Sequence, residues 1–152
     1  MVMIDDADRR ILTVLQRDAS LSLDALGEEV HLSRNACWRR IRALEDAGVI
    51  RSRVTLLDPA KLGLSLTVFL QVRTNTHAPD WLEKFSAATR GMPEILGVYR
   101  MSGDLDYLIR AQVRDMADYD RLYQQLIRKV PLSDVSASFV MEEIKDTHQL
   151  PL

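Results

Sequence analysis

A single cysteine, Cys37, in 152 residues excludes an internal disulfide and gives no sign of an oxidising compartment. Apolar residues make up 47% of the chain, yet no run of them approaches the roughly 18 needed to cross a bilayer. The start, MVMIDDADRR, is acidic where an export signal would be basic and then apolar. These features predict a soluble, cytoplasmic chain with no membrane partner. His31, His77 and His148 lie far apart, and without a second cysteine they predict no metal site. Neither a glycine-rich phosphate loop nor a GxSxG elbow occurs, so no catalytic residue and no cofactor are expected. The net charge of −2 lacks the overall basic surplus that marks a strong polyanion binder.

The distribution of charge says more than its sum. Between His31 and Arg53 stand Arg34, Arg39, Arg40, Arg42, Arg51 and Arg53, opposed only by Glu45 and Asp46. A basic patch on an otherwise acidic chain suits a module that meets a polyanion on one face. Within it, SRNACWRRIRALEDAGVI, from Ser33 to Ile50, predicts a helix. Ser33 can cap it, no proline interrupts it before Ala47, and Gly48 offers the left-handed residue that stops it. Cys37, Ile41 and Leu44 recur at i, i+4 and i+7 and form one apolar stripe. Asn35, Trp38, Arg39 and Arg42 lie off that stripe, with Arg34 in the first turn. Guanidinium forks fit phosphates and the edge of guanine, an Asn amide fits adenine, and an aromatic ring can lie on a sugar or a thymine methyl. A solvated amphipathic helix is the alternative.

The preceding residues favour the groove reader. A helix is predicted from Asp5 to Arg17, capped by Asp5, with Asp8 in its first turn and Ile11, Leu12 and Leu15 inward. A second is predicted over Ala19–Val30, with Ser22 as a cap candidate and Leu23, Leu26 and Val30 on one face. The short turn His31-Leu32 leads to the third. Three short helices with a tight turn between the last two form a helix-turn-helix, whose third helix enters the major groove. The following VIRSRVTLLD predicts a wing strand in which Arg51 and Arg53 touch the backbone. Residues 1–57 are thus expected to form a winged helix-turn-helix domain binding double-stranded DNA through Ser33, Arg34, Asn35, Trp38, Arg39, Arg42, Arg51 and Arg53.

Pro59 and Gly63 punctuate a linker over 58–64, and residues 65–152 change in periodicity. LSLTVFLQVRT predicts a strand with Leu66, Val68, Leu70 and Val72 on one face. Pro79 to Arg90 predicts a helix with Trp81, Leu82, Phe85 and Ala88 inward, ended by Gly91. ILGVYRM and DYLIRAQV predict a hairpin around SGDL. Asp115 caps a predicted helix to Val130 whose inward positions are Met116, Tyr119, Leu122, Tyr123, Leu126 and Ile127. DVSASFVME predicts the last strand, with Val135, Ala137, Phe139 and Met141 on one side. The order βαββαβ predicts a ferredoxin-like antiparallel sheet with both helices on one face, so the fold class is α+β. Phe69 and Leu108 fall on the other face, and a second copy stacked there would bury them as a homodimer. Two copies would present two recognition helices to a pseudo-palindromic site.

Ser33 followed by Cys37-Trp38-Arg39-Arg40-Ile41 and Leu44-Glu45-Asp46-Ala47-Gly48-Val49-Ile50, the opening Asp5-Asp6-Ala7-Asp8-Arg9-Arg10-Ile11-Leu12, and the later Gly103-Asp104-Leu105-Asp106-Tyr107 resemble the Lrp/AsnC (feast/famine) transcriptional regulators from Asp5 to Met141. The resemblance implies dimers that assemble to octamers, and a small effector, an amino acid, held between subunits near the hairpin loop. Carried onto this chain, the effector residues are Met101, Ser102, Gly103, Asp104, Asp106 and Tyr107, with Ser136 and Ser138 from a neighbouring subunit. Freed backbone NH groups in such a loop suit a carboxylate, and an acidic side chain suits an ammonium. A plain β-turn made by Asp and Gly is the alternative. The LDPAKLGL and DVSASFVMEEIK segments look like the subgroup that responds to small, including sulfur-containing, amino acids.

Two other classes compete. An enzyme would have to rest on Asp104 and Asp106, which lack an evident acid, base or nucleophile partner. An RNA-recognition sheet shares the strand order, but DYLIRAQV lacks the aromatic pairs on which bases stack.

Overall fold

The computed structural model describes residues 3–75 and 78–152, so the reading of His77 falls outside the described residues. The chain divides into two compact units, Met1–Leu56 with Lys145–Leu152, and Leu57–Ile144.

The first unit holds α1 (Asp6–Arg17), α2 (Leu23–Val30) and α3 (Arg34–Asp46). Asp5 starts α1 through a reciprocal capping box: its carboxylate accepts from the Asp8 NH at 2.8 Å, and the Asp8 carboxylate accepts from the Asp5 NH at 3.2 Å. The second helix begins at Leu23 rather than Ala19. The Asp18 carboxylate takes both the NH and the hydroxyl of Ser20, which closes a turn there, and Ser22 then caps α2 by accepting from the Ala25 NH. Ile11, Val14, Leu26, Val30, Cys37 and Ile41 form the buried core, each fully buried large aliphatic contributing about 1.5–3 kcal/mol. Leu15, expected inward, is only half-buried, and Val14 takes its place.

Between α2 and α3 the backbone turns through His31, which is left-handed at φ 57°. The Leu32 NH donates to the Gly27 carbonyl at 2.9 Å, and a Cβ on Gly27 would sit 2.6 Å from the Leu32 oxygen. Gly27 is therefore what lets the turn close, because no side chain fits at that approach.

After α3, Gly48 adopts φ 71°. Its NH donates to Glu45 and that of Val49 to Leu44, satisfying two carbonyls that the helix end would leave bare. The wing strand predicted over 49–58 does not form. Residues 51–58 are exposed and pair with no strand, and Val54, Leu56 and Leu57 bury no apolar face that could hold a ladder in register. In this unit too, the Leu150 NH donates to Gln16 Oε1 at 2.5 Å and Gln16 Nε2 donates to the Leu150 carbonyl at 3.2 Å. Lys145–Leu152 thus packs in the same compact unit as the helices.

The second unit holds β1 (Leu66–Arg73), α4 (Pro79–Arg90), β2 (Ile95–Arg100), β3 (Tyr107–Val113), α5 (Met116–Lys129) and β4 (Asp134–Phe139). The sheet order is β2-β3-β1-β4 with every pairing antiparallel. Val68, Leu70, Val72, Tyr107, Ile109, Ala111 and Val113 lie buried in the core that the sheet shares with α4 and α5. Trp81 stacks on Phe85 in that core and Tyr107 packs tilted against both, with centroids 4.8 to 5.6 Å apart, and the Trp81 indole NH donates to the Pro131 carbonyl at 2.8 Å.

Some inward expectations fail. Leu82 and Met116 are exposed, and Met141 lies beyond the end of β4 at 95% exposure. Asp118 occupies the buried position at the start of α5, where Arg114 and Arg121 pair with it.

The other face of the sheet is less apolar than sequence suggests. Register places Phe69, Leu108 and Tyr99 there, but also Thr67, Gln71, Arg110, Gln112, Ser136 and Ser138. The polar groups are wired together: Thr67 donates to Gln112 at 2.8 Å, and Gln71 exchanges bonds with Ser138 at 3.4 Å and Ser136 at 3.5 Å. Tyr99 lies across Gly97, whose missing Cβ would meet the phenol oxygen at 2.6 Å.

Candidate nucleic-acid interface and ligand loop

The buried stripe of α3 fixes what its other side presents. With Cys37, Ile41 and Leu44 turned into the core, Arg34, Asn35, Trp38, Arg39 and Arg42 are exposed, Trp38 at 55%. Ser33 Oγ accepts from the Ala36 NH at 3.2 Å, so its hydroxyl starts the helix. Burial pushes the Cys37 thiol up, which makes it a small hydrophobe rather than a nucleophile.

Electrostatics divide the six arginines of the patch. Arg40 lies half-buried and donates to Asp5 and Asp8 at 2.8 Å each, so it anchors α3 to the start of α1 and is lost to any external anion. The Asp8 backbone NH first, and Arg40 next, hold the Asp5 carboxyl below its ordinary value. Arg34 stands 3.6 Å from Asp24, while Arg42 and Arg53 reach Glu45 at 3.5 and 3.1 Å. Among the described residues, the side chains of Asn35, Trp38, Arg39 and Arg51 make no hydrogen bond or ion pair. Two cations, one amide and one aromatic with nothing to do inside the fold can grip a phosphate backbone and reach base edges.

The second candidate is the loop joining β2 to β3. Gly103 has φ 103°, which favours glycine. The Met101 NH donates to the Asp106 carbonyl at 2.9 Å and the Asp106 NH to the Val72 carbonyl at 3.1 Å. The Asp106 carboxylate accepts from the Thr74 NH at 2.8 Å, which gives it a structural task beside β1. Tyr107 departs from the expected group: strand alternation turns it to the helix-covered face, where it is 5% exposed against Trp81 and Phe85. Ser102 and Asp104 remain exposed with side chains that bond to nothing among the described residues. Ser136 and Ser138 lie on the open face of β4, opposite Gln71 and Phe69.

Sequence reasoning missed Arg73. It donates from Nε to the Asp104 carbonyl at 3.1 Å and pairs with Asp134 at 3.0 Å, tying the loop to the start of β4. Only the strand register, which composition does not reveal, brings those three residues together. The structure also shows a groove of about 400 Å³ between α4 and β2, bordered by Ser86, Thr89, Arg90 and Arg100.

Helix-turn-helix geometry joined to a four-stranded antiparallel domain defines a DNA-binding transcriptional regulator with a ligand-binding domain. Comparison agrees: residues 4–51 match the winged helix-turn-helix DNA-binding family, and residues 67–150 match the Lrp/AsnC ligand binding domain. The chain belongs to the Lrp/AsnC family of transcriptional regulators. It is 51% identical over 149 residues to the glutamate uptake regulatory protein of Zymomonas mobilis, covering 98% of this chain and 91% of that one. It is 48% identical over 151 residues to the DNA-binding transcriptional activator DecR of Escherichia coli, covering 99% of each. An AsnC family regulator from Agrobacterium tumefaciens superposes with a TM-score of 0.94 at 48% identity, over 97% of this chain and 96% of that one. A transcriptional regulator from Neisseria meningitidis, solved with L-Met, superposes at 0.93 and 37% identity, over 98% and 97%. Relatives of this kind are regulators, and the chain is not an enzyme. Among the described residues no helix is long and apolar enough to cross a membrane.

Proposed function

We propose that the chain binds a pseudo-palindromic duplex as a homodimer, through Arg34, Asn35, Trp38, Arg39 and Arg42 of α3 with Arg51 and Arg53 beside it. Further association to octamers and an amino acid held between subunits then set how many recognition helices act together. The observation that carries this is the exposed face of α3, where Asn35, Trp38 and Arg39 bond to nothing among the described residues and Arg34 and Arg42 make only exposed ion pairs. A ligand shifts such an equilibrium only by its preference for one assembly over another. In one subunit Ser102, Gly103 and Asp104 are free to meet the ligand, with Ser136 and Ser138 supplied across the interface. Asp106 shapes the loop and Tyr107 supports it from the core. The L-Met bound to the Neisseria relative makes a small or sulfur-containing amino acid the first choice of effector. A cytoplasmic site of action fits a DNA partner.

Two measurements test this. Replacing Arg39 with Ala should weaken duplex binding in gel retardation by about 1–3 kcal/mol; unchanged retardation refutes the α3 assignment. Thermal denaturation with each natural amino acid should raise the midpoint for a small subset, because a ligand that binds only the native state stabilises it by mass action. Asp104→Ala should abolish the rise, and a rise that survives moves the effector site elsewhere.

A further inference from the structure

Among the described residues, Glu45 is the acidic group that two exposed arginines of the basic patch share. It is half-buried, 30% exposed, and its two oxygens divide between two arginines: Oε2 stands 3.5 Å from Arg42 and Oε1 3.1 Å from Arg53. The three side chains line a depression with Leu23, Trp38 and Ile41. Arg53 belongs to the exposed segment after the helix, and its bond to Glu45 is the one polar tie that residues 51–57 make among the described residues. Asp46, next in sequence, is exposed and pairs with neither arginine.

We infer that Glu45 is a positioning residue for DNA recognition: it stands in for a phosphate in the free protein, holds Arg42 and Arg53 as a pair, and restrains their grip on any duplex that cannot displace it. This rests on α3 being the DNA-facing helix. Exposed ion pairs of this kind contribute little to folding, so the contact is free to be exchanged. A carboxylate beside two guanidiniums lowers the attraction that any polyanion feels, whatever its sequence. A correctly placed phosphate can take Arg53 from it, whereas loosely docked DNA cannot. Glu45 therefore suppresses non-specific binding while keeping the segment after the helix in reach of the backbone.

The test uses the full chain and a 30-base-pair duplex of random sequence, with fluorescence anisotropy at several salt concentrations. Glu45→Gln should tighten binding about fivefold and steepen the slope of log affinity against log salt by about one, the value of one extra phosphate contact. Its melting temperature should match the wild type. Asp46→Asn makes the same change in net charge and should give less than half the gain. In the double variant with Arg53→Gln the gain should disappear. Equal gains in Glu45→Gln and Asp46→Asn, a gain that survives loss of Arg53, or an unchanged salt slope would each overturn the inference. A wild-type chain that holds no duplex even at low salt instead overturns the DNA-facing assignment of α3, and this inference falls with it.

Discussion

The exposed face of α3 and the β2–β3 loop are both candidate recognition surfaces, and they differ in how much of their chemistry the fold consumes. On α3, Asn35, Trp38, Arg39 and Arg42 project outward while one stripe of Cys37, Ile41 and Leu44 does the folding. In the loop, Met101, Asp104 and Asp106 give backbone or side-chain groups to the sheet, and only Ser102, Gly103 and the Asp104 carboxylate stay uncommitted. A helix separates stability from recognition by angle, so its surface can vary without cost. A hairpin loop of six residues has no such separation, and most changes there disturb the sheet as well.

Substitutions can sharpen or break this contrast, taken in order of their effect on folding. Gly27→Ala, which drives a methyl into the Leu32 carbonyl at 2.6 Å, should cost about 2 kcal/mol in chemical denaturation. A tolerated alanine would show that the turn before α3 is not tight. Asp106→Ala strips the acceptor from the Thr74 NH and should cost about 1.5 kcal/mol. If stability held, the loop carboxylate would be as idle as Arg39 of α3.

Arg40→Ala should act through pH. The folded-state pKa of Asp5 lies below its ordinary value, so the stabilisation it supplies is full above about pH 4 and lost as pH falls through the depressed value. Removing Arg40 should lower the melting temperature at neutral pH and flatten the acid limb of helical circular dichroism against pH. An unchanged limb would mean that the Asp8 NH alone sets the shift. Arg39→Ala closes the series, since it should leave folding stability within about 0.5 kcal/mol of the wild type while weakening duplex binding. A large loss of stability would place Arg39 among the structural arginines.

Sequence revealed the parts of this fold that local chemistry decides. Asp5, Ser22, Ser33 and Asp115 each cap the helix that follows them, and Pro79–Arg90 forms over the residues expected. Apolar alternation also gave the strands and the face of β1 that meets the helices. It misplaced what depends on a distant partner. The start of α2 is a local exception, moved because Asp18 closes a turn on Ser20 two residues on, while among the described residues 51–58 pair with no strand. Leu82, Met116 and Met141 satisfy the period yet lie where no neighbour covers them. For the recognition surfaces the same rule applies. Helical spacing separated the outward residues of α3 from its core, but could not tell that Arg40 is spent on Asp5 and Asp8 or that Glu45 gathers Arg42 and Arg53. In the loop, the role of Arg73 was not visible before the register was known.

The pairing of Leu150 with Gln16 places the carboxyl end of the chain among the helices. A fluorophore carried at His148 would accordingly sense events at α1, and a purification tag fused there would burden the helical unit.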